Sequence, residues 1–69
     1  MLSDLSNTQI EELIDEWIHN SRNRDLAKAR FMDGLKYERL SEIYDLSVNQ
    51  TKNIVQSVKE ILLSHLPQE

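Results

Sequence analysis

The tetrads Ser6-Asn7-Thr8-Gln9 and Ser47-Val48-Asn49-Gln50 share the pattern Ser-x-x-Gln, and each runs into apolar residues spaced by three and four. In such a box the serine oxygen accepts a backbone N–H of the first helical turn. The glutamine reaches back to the serine N–H, so two of the orphan donors of a helix start are satisfied locally. A chain carrying two of these boxes ahead of apolar stripes is constrained to helices. After the first box come Ile10, Leu13, Ile14, Trp17 and Ile18, with Glu11, Glu12, Asp15 and Glu16 on the other side. Leu5, just before the cap, is placed to close a hydrophobic staple with Ile10. The spacing predicts a first helix over 7–19, with His19-Asn20-Ser21 as its exit.

Little in the rest of the chain breaks a helix: there is one glycine and one proline in 69 residues, well below average usage. A second helix is expected over 23–33, ended by Asp33-Gly34, where Gly34 takes the left-handed conformation that closes a helix. Tyr37, Leu40, Ile43 and Tyr44 share one face of a short third helix over 36–44. Asp45-Leu46-Ser47 is then a tight turn, and the second box opens a fourth helix over 48–66, stopped by Pro67. The expected fold is therefore all-α, a single domain over 1–69 built as a small bundle of four helices with a helix-turn-helix.

At 8.1 kDa such a domain buries only about 60% of the surface its unfolded chain exposes, so nearly every apolar residue must reach the core or an interface. Trp17 and Phe31 are expected as core anchors. Ile54, Ile61, Leu63 and Leu66 are expected to meet the first helix, with a second copy of the chain as their other home. A homodimer is thus one expected assembly.

Several chemistries are disfavoured. The chain has no cysteine, so it offers neither a disulfide framework nor a thiolate metal site. Its two histidines, His19 and His65, lie near opposite ends, and with Gly34 alone there is no glycine-rich phosphate loop. We expect no cofactor, no bound metal and no enzymatic activity. No segment approaches the ~20 apolar residues that span a bilayer, and MLSDLSNTQIEEL has no basic leader. The expected setting is cytoplasmic, without a membrane partner.

The net charge of −4 conceals an asymmetry. Residues 1–16 hold Asp4, Glu11, Glu12, Asp15 and Glu16 and no base, while Leu46 to Lys59 holds Lys52 and Lys59 and no acid. On the fourth helix Thr51, Val55, Val58 and Leu62 form one stripe. Opposite stand Asn49, Asn53, Gln56 and Glu60, bordered by Lys52 and Lys59 on one side and by Gln50 and Ser57 on the other. Asparagine and glutamine can pair with adenine edges through two hydrogen bonds, and lysine neutralises phosphate. A short helix, a three-residue turn and a longer helix with amides in its first turns therefore points to double-stranded DNA as the partner.

Residues 35–62, LKYERLSEIYDLSVNQTKNIVQSVKEIL, resemble region four of bacterial sigma factors and related small phage and mobile-element regulators. That family's pattern is roughly Leu-Ser/Thr-Tyr-Glu-Glu-Ile-Ala-Glu-x-x-Gly-Ile-Ser-x-x-Thr-Val-Lys, and Leu35, Tyr37, Glu38, Glu42, Ser47 and Lys52 match it. RDLAKARFMDGL, residues 24–35, is similar to the helix that precedes the motif there. The resemblance implies a transcriptional regulator reading a promoter's major groove with the helix that starts at Val48. Its base- and phosphate-contacting residues would be Asn49, Gln50, Lys52, Asn53 and Gln56. Arg39, on the short helix that crosses the backbone, is a phosphate candidate, and Arg22, Arg24, Lys28 and Arg30 are weaker ones. RNA polymerase or another regulator is the protein partner that such a role would bring. The chain departs from the pattern at Lys36 (usually a capping Ser or Thr), Ser41 (Ala), Asp45 (Gly), Gln50 and Thr51. Two other roles remain open: a protein-interaction module docking its acidic first helix on a basic partner, and a phage DNA-packaging or recombination accessory.

Overall fold

Both serine boxes close as reciprocal hydrogen-bonded caps. Ser6 Oγ accepts from the Gln9 N–H at 3.2 Å while Gln9 Oε1 accepts from the Ser6 N–H at 2.9 Å. At the second box the same two bonds, Gln50 N–H to Ser47 Oγ and Ser47 N–H to Gln50 Oε1, are each 3.0 Å. The computed structural model describes residues 5–66. They form α1 (Asn7–Trp17), α2 (Ser21–Phe31), α3 (Tyr37–Tyr44) and α4 (Val48–Ser64). The protein is a small all-α bundle, with no strand among the described residues.

Several helix boundaries differ from those expected: α1, α2 and α4 end two residues earlier, α3 starts at Tyr37 instead of 36, and α2 starts two residues earlier, at Ser21. α1 stops at Trp17 because Ile18 adopts extended backbone (φ −107°, ψ 109°) and turns its side chain into the core, where it is buried. Asn20 then caps α2, its Oδ1 accepting the Asn23 N–H at 3.1 Å, so α2 begins at Ser21 and not at 23. The same helix ends at Phe31. Gly34 follows at φ +69°, and the Leu35 N–H returns to the Ala29 carbonyl at 3.2 Å. α4 closes at Ser64, with the Leu62 carbonyl accepting the His65 N–H at 3.1 Å, before Pro67 is reached; Pro67 lies outside the described residues.

The turn between α3 and α4 depends on Asp45, which sits in the left-handed region at φ 54°, ψ 51°. Few side chains accept that conformation; aspartate does so more readily than most. It lets the Ser41 carbonyl accept both the Asp45 N–H and, at 2.9 Å, the Leu46 N–H. The carbonyls left at the end of α3 are thereby partly satisfied. At the other end of α3, Lys36 supplies no side-chain cap.

Two apolar clusters fill the bundle. Ile10, Ile14 and Ile18 of the α1 region meet Ala27 of α2 and Val58 and Leu62 of α4. Leu26, Leu40 and Val55 form the second cluster, tying α2 and α3 to the amino-terminal half of α4. Phe31 and Ile54 are half-buried and touch both. α4 therefore packs against every other helix, α1 on its carboxyl-terminal half and α3 on its amino-terminal half. Its stripe of Thr51, Val55, Val58 and Leu62 is the one expected, and all four are buried. An ion pair of 2.7 Å from Lys28 Nζ to Asp15 clips α2 to α1, and that bond holds the lysine amine above its usual value of 10.5.

Other apolar residues do not go where expected. Trp17 is not a core anchor: it is 37% exposed, since the core place at the end of α1 is taken by Ile18. Ile61 and Leu63 remain on the surface and are not covered by α1, whereas Leu66 is half-buried.

Thr51 is fully buried, and its Oγ1 donates to the Ser47 carbonyl at 2.9 Å. That carbonyl already accepts the Thr51 N–H at 3.0 Å. Removing the hydroxyl thus leaves no orphan acceptor, and Thr51→Val is expected to hold or raise stability by up to about 1 kcal/mol. Leu62→Ala, by contrast, opens a cavity where α1 meets α4 and costs about 2–5 kcal/mol, much of the stability of a domain this size. Urea denaturation of the two variants checks the pair; a Thr51→Val loss as large as that of Leu62→Ala would contradict this packing.

Candidate nucleic-acid interface

Because one face of α4 is filled by the core stripe, a helix of this pitch must turn the opposite residues to solvent. Asn49, Lys52, Asn53 and Gln56 are all exposed, as are Gln50, Ser57 and Lys59 on the borders. Asn49 and Asn53 lie one turn apart, as do Lys52 and Gln56, so four of the expected residues share one continuous surface about two turns long. The side chains of Asn49 and Asn53 make no hydrogen bond among the described residues, which leaves their donors and acceptors available. Gln56 Nε2 makes only a long contact of 3.4 Å to Glu60 Oε1. Glu60 is the acid that ends the uncharged or positive part of the face.

Gln50 is in a different position. Its Oε1 is engaged by the Ser47 N–H, which fixes the side chain against the cap, so a bidentate adenine contact would have to share that oxygen or break the box. The residue fixes the start of α4, with the dipole of the helix adding partial positive charge there.

Arg39 is exposed on α3 and lies 3.5 Å from Glu42 one turn on. An exposed pair of this kind is worth at most about 1 kcal/mol, and a phosphate can displace it. Lys28 and Arg30, in contrast, are already used within the protein. Lys28 pairs with Asp15, and Arg30 Nη1 donates to the Leu35 carbonyl at 3.0 Å with its guanidinium 4.5 Å from the centre of the Tyr37 ring.

Tyr37 is the residue that pattern reading missed. Half-buried at the start of α3, it has Arg30 against its ring and Lys52 Nζ 5.9 Å from its centroid. An aromatic face attracts both cations. It brings Arg30 of α2 and Lys52 of α4 to the same ring of α3. The signal lay in the tyrosine at the first position of a short helix, but its partners come from residues 30 and 52 and only the tertiary fold brings them together.

Among the described residues no group of three or more histidine, aspartate or glutamate side chains could hold a metal ion, and no helix is long and apolar enough to cross a membrane. Comparison with protein-family models, with curated proteins and with solved structures finds no match.

The cap at Ser47 controls how the first turn of this face is presented. Ser47→Ala removes one bond of the box and is expected to cost about 1 kcal/mol. It should also speed hydrogen exchange at the amides of residues 49–51 more than at Val58 or Leu62. Equal exchange in the variant and the parent chain would show that the box does not hold the helix start.

Proposed function

We propose that this protein is a sequence-reading DNA-binding protein that acts in transcription and inserts the exposed face of α4, beginning at Val48, into the major groove. The observation that carries this reading is the exposure of Asn49, Lys52, Asn53 and Gln56 on an acid-free stretch at the amino end of a helix whose opposite face is core. In the proposed complex α3 and α4, joined by the Asp45–Ser47 turn, act as a helix-turn-helix. Asn49 and Asn53 read base edges, with Gln56 one turn further on. A good bidentate amide–adenine pair discriminates by about 1–3 kcal/mol.

Lys52, Lys59 and Arg39 neutralise phosphates and set the register, and Gln50 holds the helix start rather than reading a base. The likeness of residues 35–62 to sigma factor region four supports the same arrangement and suggests RNA polymerase or a second regulator as the protein partner. A role in phage DNA packaging or recombination would use the same contacts.

The basic edge is modest, so unaided affinity depends strongly on salt. With about four phosphates neutralised, log K against log salt should have a slope of about −3 to −4. Selection from a random duplex pool is expected to enrich a common motif. The variant Asn49→Ala/Lys52→Ala/Asn53→Ala should keep its helical signal and lose gel shifts on the selected duplex. Undiminished shifts would remove this face of α4 from the groove, and an empty selection would favour the interaction module.

A further inference from the structure

α1 carries a second apolar row beside its buried one, in which Leu13 packs partly on the core and Trp17 is exposed. Ile10 and Ile14 are buried, and a second row, Gln9, Leu13 and Trp17, runs beside them at one-turn spacing, followed by the row Glu12 and Glu16. Where α1 passes the end of α4 these rows border a groove of about 340 Å³. Leu5, Leu13 and Trp17 are its apolar surface, and Gln9, His65 and the exposed Glu12 and Glu16 complete its lining. Trp17 and His65 stack with ring centroids 3.6 Å apart and planes 2° from parallel, which presents the indole as a fixed wall. Among the described residues the carboxylates that line the groove are Glu12 and Glu16, and no lysine or arginine lines it. Lys28, the base that reaches α1, is engaged by Asp15.

We propose that this groove docks a cationic amphipathic segment of a partner protein, whose aliphatic side chains enter between Leu13 and Trp17 while its lysines or arginines meet Glu12 and Glu16. Helix-in-groove recognition supplies this combination of an apolar anchor and flanking charge. Electrostatics selects this occupant over two others. A symmetric pairing of two copies would set Glu12 and Glu16 against themselves. The chain's own ends outside the described residues, 1–4 and 67–69, bring Asp4 and Glu69 and no lysine or arginine. The groove is formed by α1 and the end of α4, away from Asn49, Lys52 and Asn53, so this docking does not depend on DNA reading.

Trp17 is the chain's one tryptophan and a built-in reporter. The probe is a fluorescein-labelled amphipathic peptide of leucine and lysine in heptad order, with a leucine–glutamate peptide of the same pattern as counter-probe. The lysine peptide is expected to bind with micromolar Kd and to shift Trp17 emission to the blue, and the glutamate peptide to stay free. Glu12→Gln/Glu16→Gln, at two exposed positions, should weaken anisotropy-detected binding about tenfold, and Trp17→Ala, checked for retained helicity, by at least about tenfold. The proposal is overturned if the lysine peptide fails to bind at about 100 μM or if both variants bind it as the parent chain does. It is equally overturned if sedimentation shows a dimer that Trp17→Ala dissolves, since the groove would then be closed by a second copy.

Discussion

The packing of one stripe on α4, Thr51, Val55, Val58 and Leu62, against the three other helices is the interaction on which the rest of the molecule depends. Three of these side chains are divided between the two apolar clusters, Val58 and Leu62 meeting the isoleucines of the α1 region and Val55 meeting Leu26 and Leu40, while Thr51 is buried at the start of the helix. α1 and α3 thus never need an extensive interface with each other; each is placed by its own half of α4. In a domain of this size, with so few apolar residues to spend, a shared spine is an economical way to hold four short helices in one arrangement.

A spine buried along one side has a free side, and the sequence makes the two halves of that side different. At the amino end it carries amides and lysine without an acid, next to α3 and a turn held by the left-handed Asp45. Toward the carboxyl end it meets Glu60, and beyond it the Trp17–His65 stack and the acidic rim of α1. Along the exposed side of α4 the charge changes: its amino half carries Lys52 and no acid, and its carboxyl half brings Glu60. A regulator that grips a duplex at one end and a protein at the other would need this polarity, and the net charge of the chain hides it.

Much of the fold could be read from the sequence because its determinants are local. Both Ser-x-x-Gln boxes, the buried stripe of α4 and the left-handed Gly34 depend on residues within a few positions of one another. Where the determinant is tertiary, the sequence misleads. Periodicity places Trp17 on the apolar face of α1, yet whether it or Ile18 enters the core depends on where the helix ends. That in turn depends on Asn20 capping the next helix instead of trailing from the last. Arg30 reads as a solvated base or a phosphate contact until the Leu35 carbonyl and Tyr37 ring are seen beside it. For the candidate interface, the exposed positions follow from the helical pitch and the engagement of Gln50 follows from its capping box, but the approach of Lys52 to the Tyr37 ring required coordinates.

The central claim is that the solvent-facing amino half of α4 is the surface that meets DNA. Amide chemical-shift mapping by two-dimensional NMR, with the labelled chain titrated by a duplex at low salt, tests it most directly. The account predicts the largest shifts at residues 47–56, smaller ones around Tyr37 and Arg39, and unchanged signals along the Glu12–Glu16 side of α1. Shifts concentrated on α1 and the end of α4, with residues 47–56 unmoved, would contradict it.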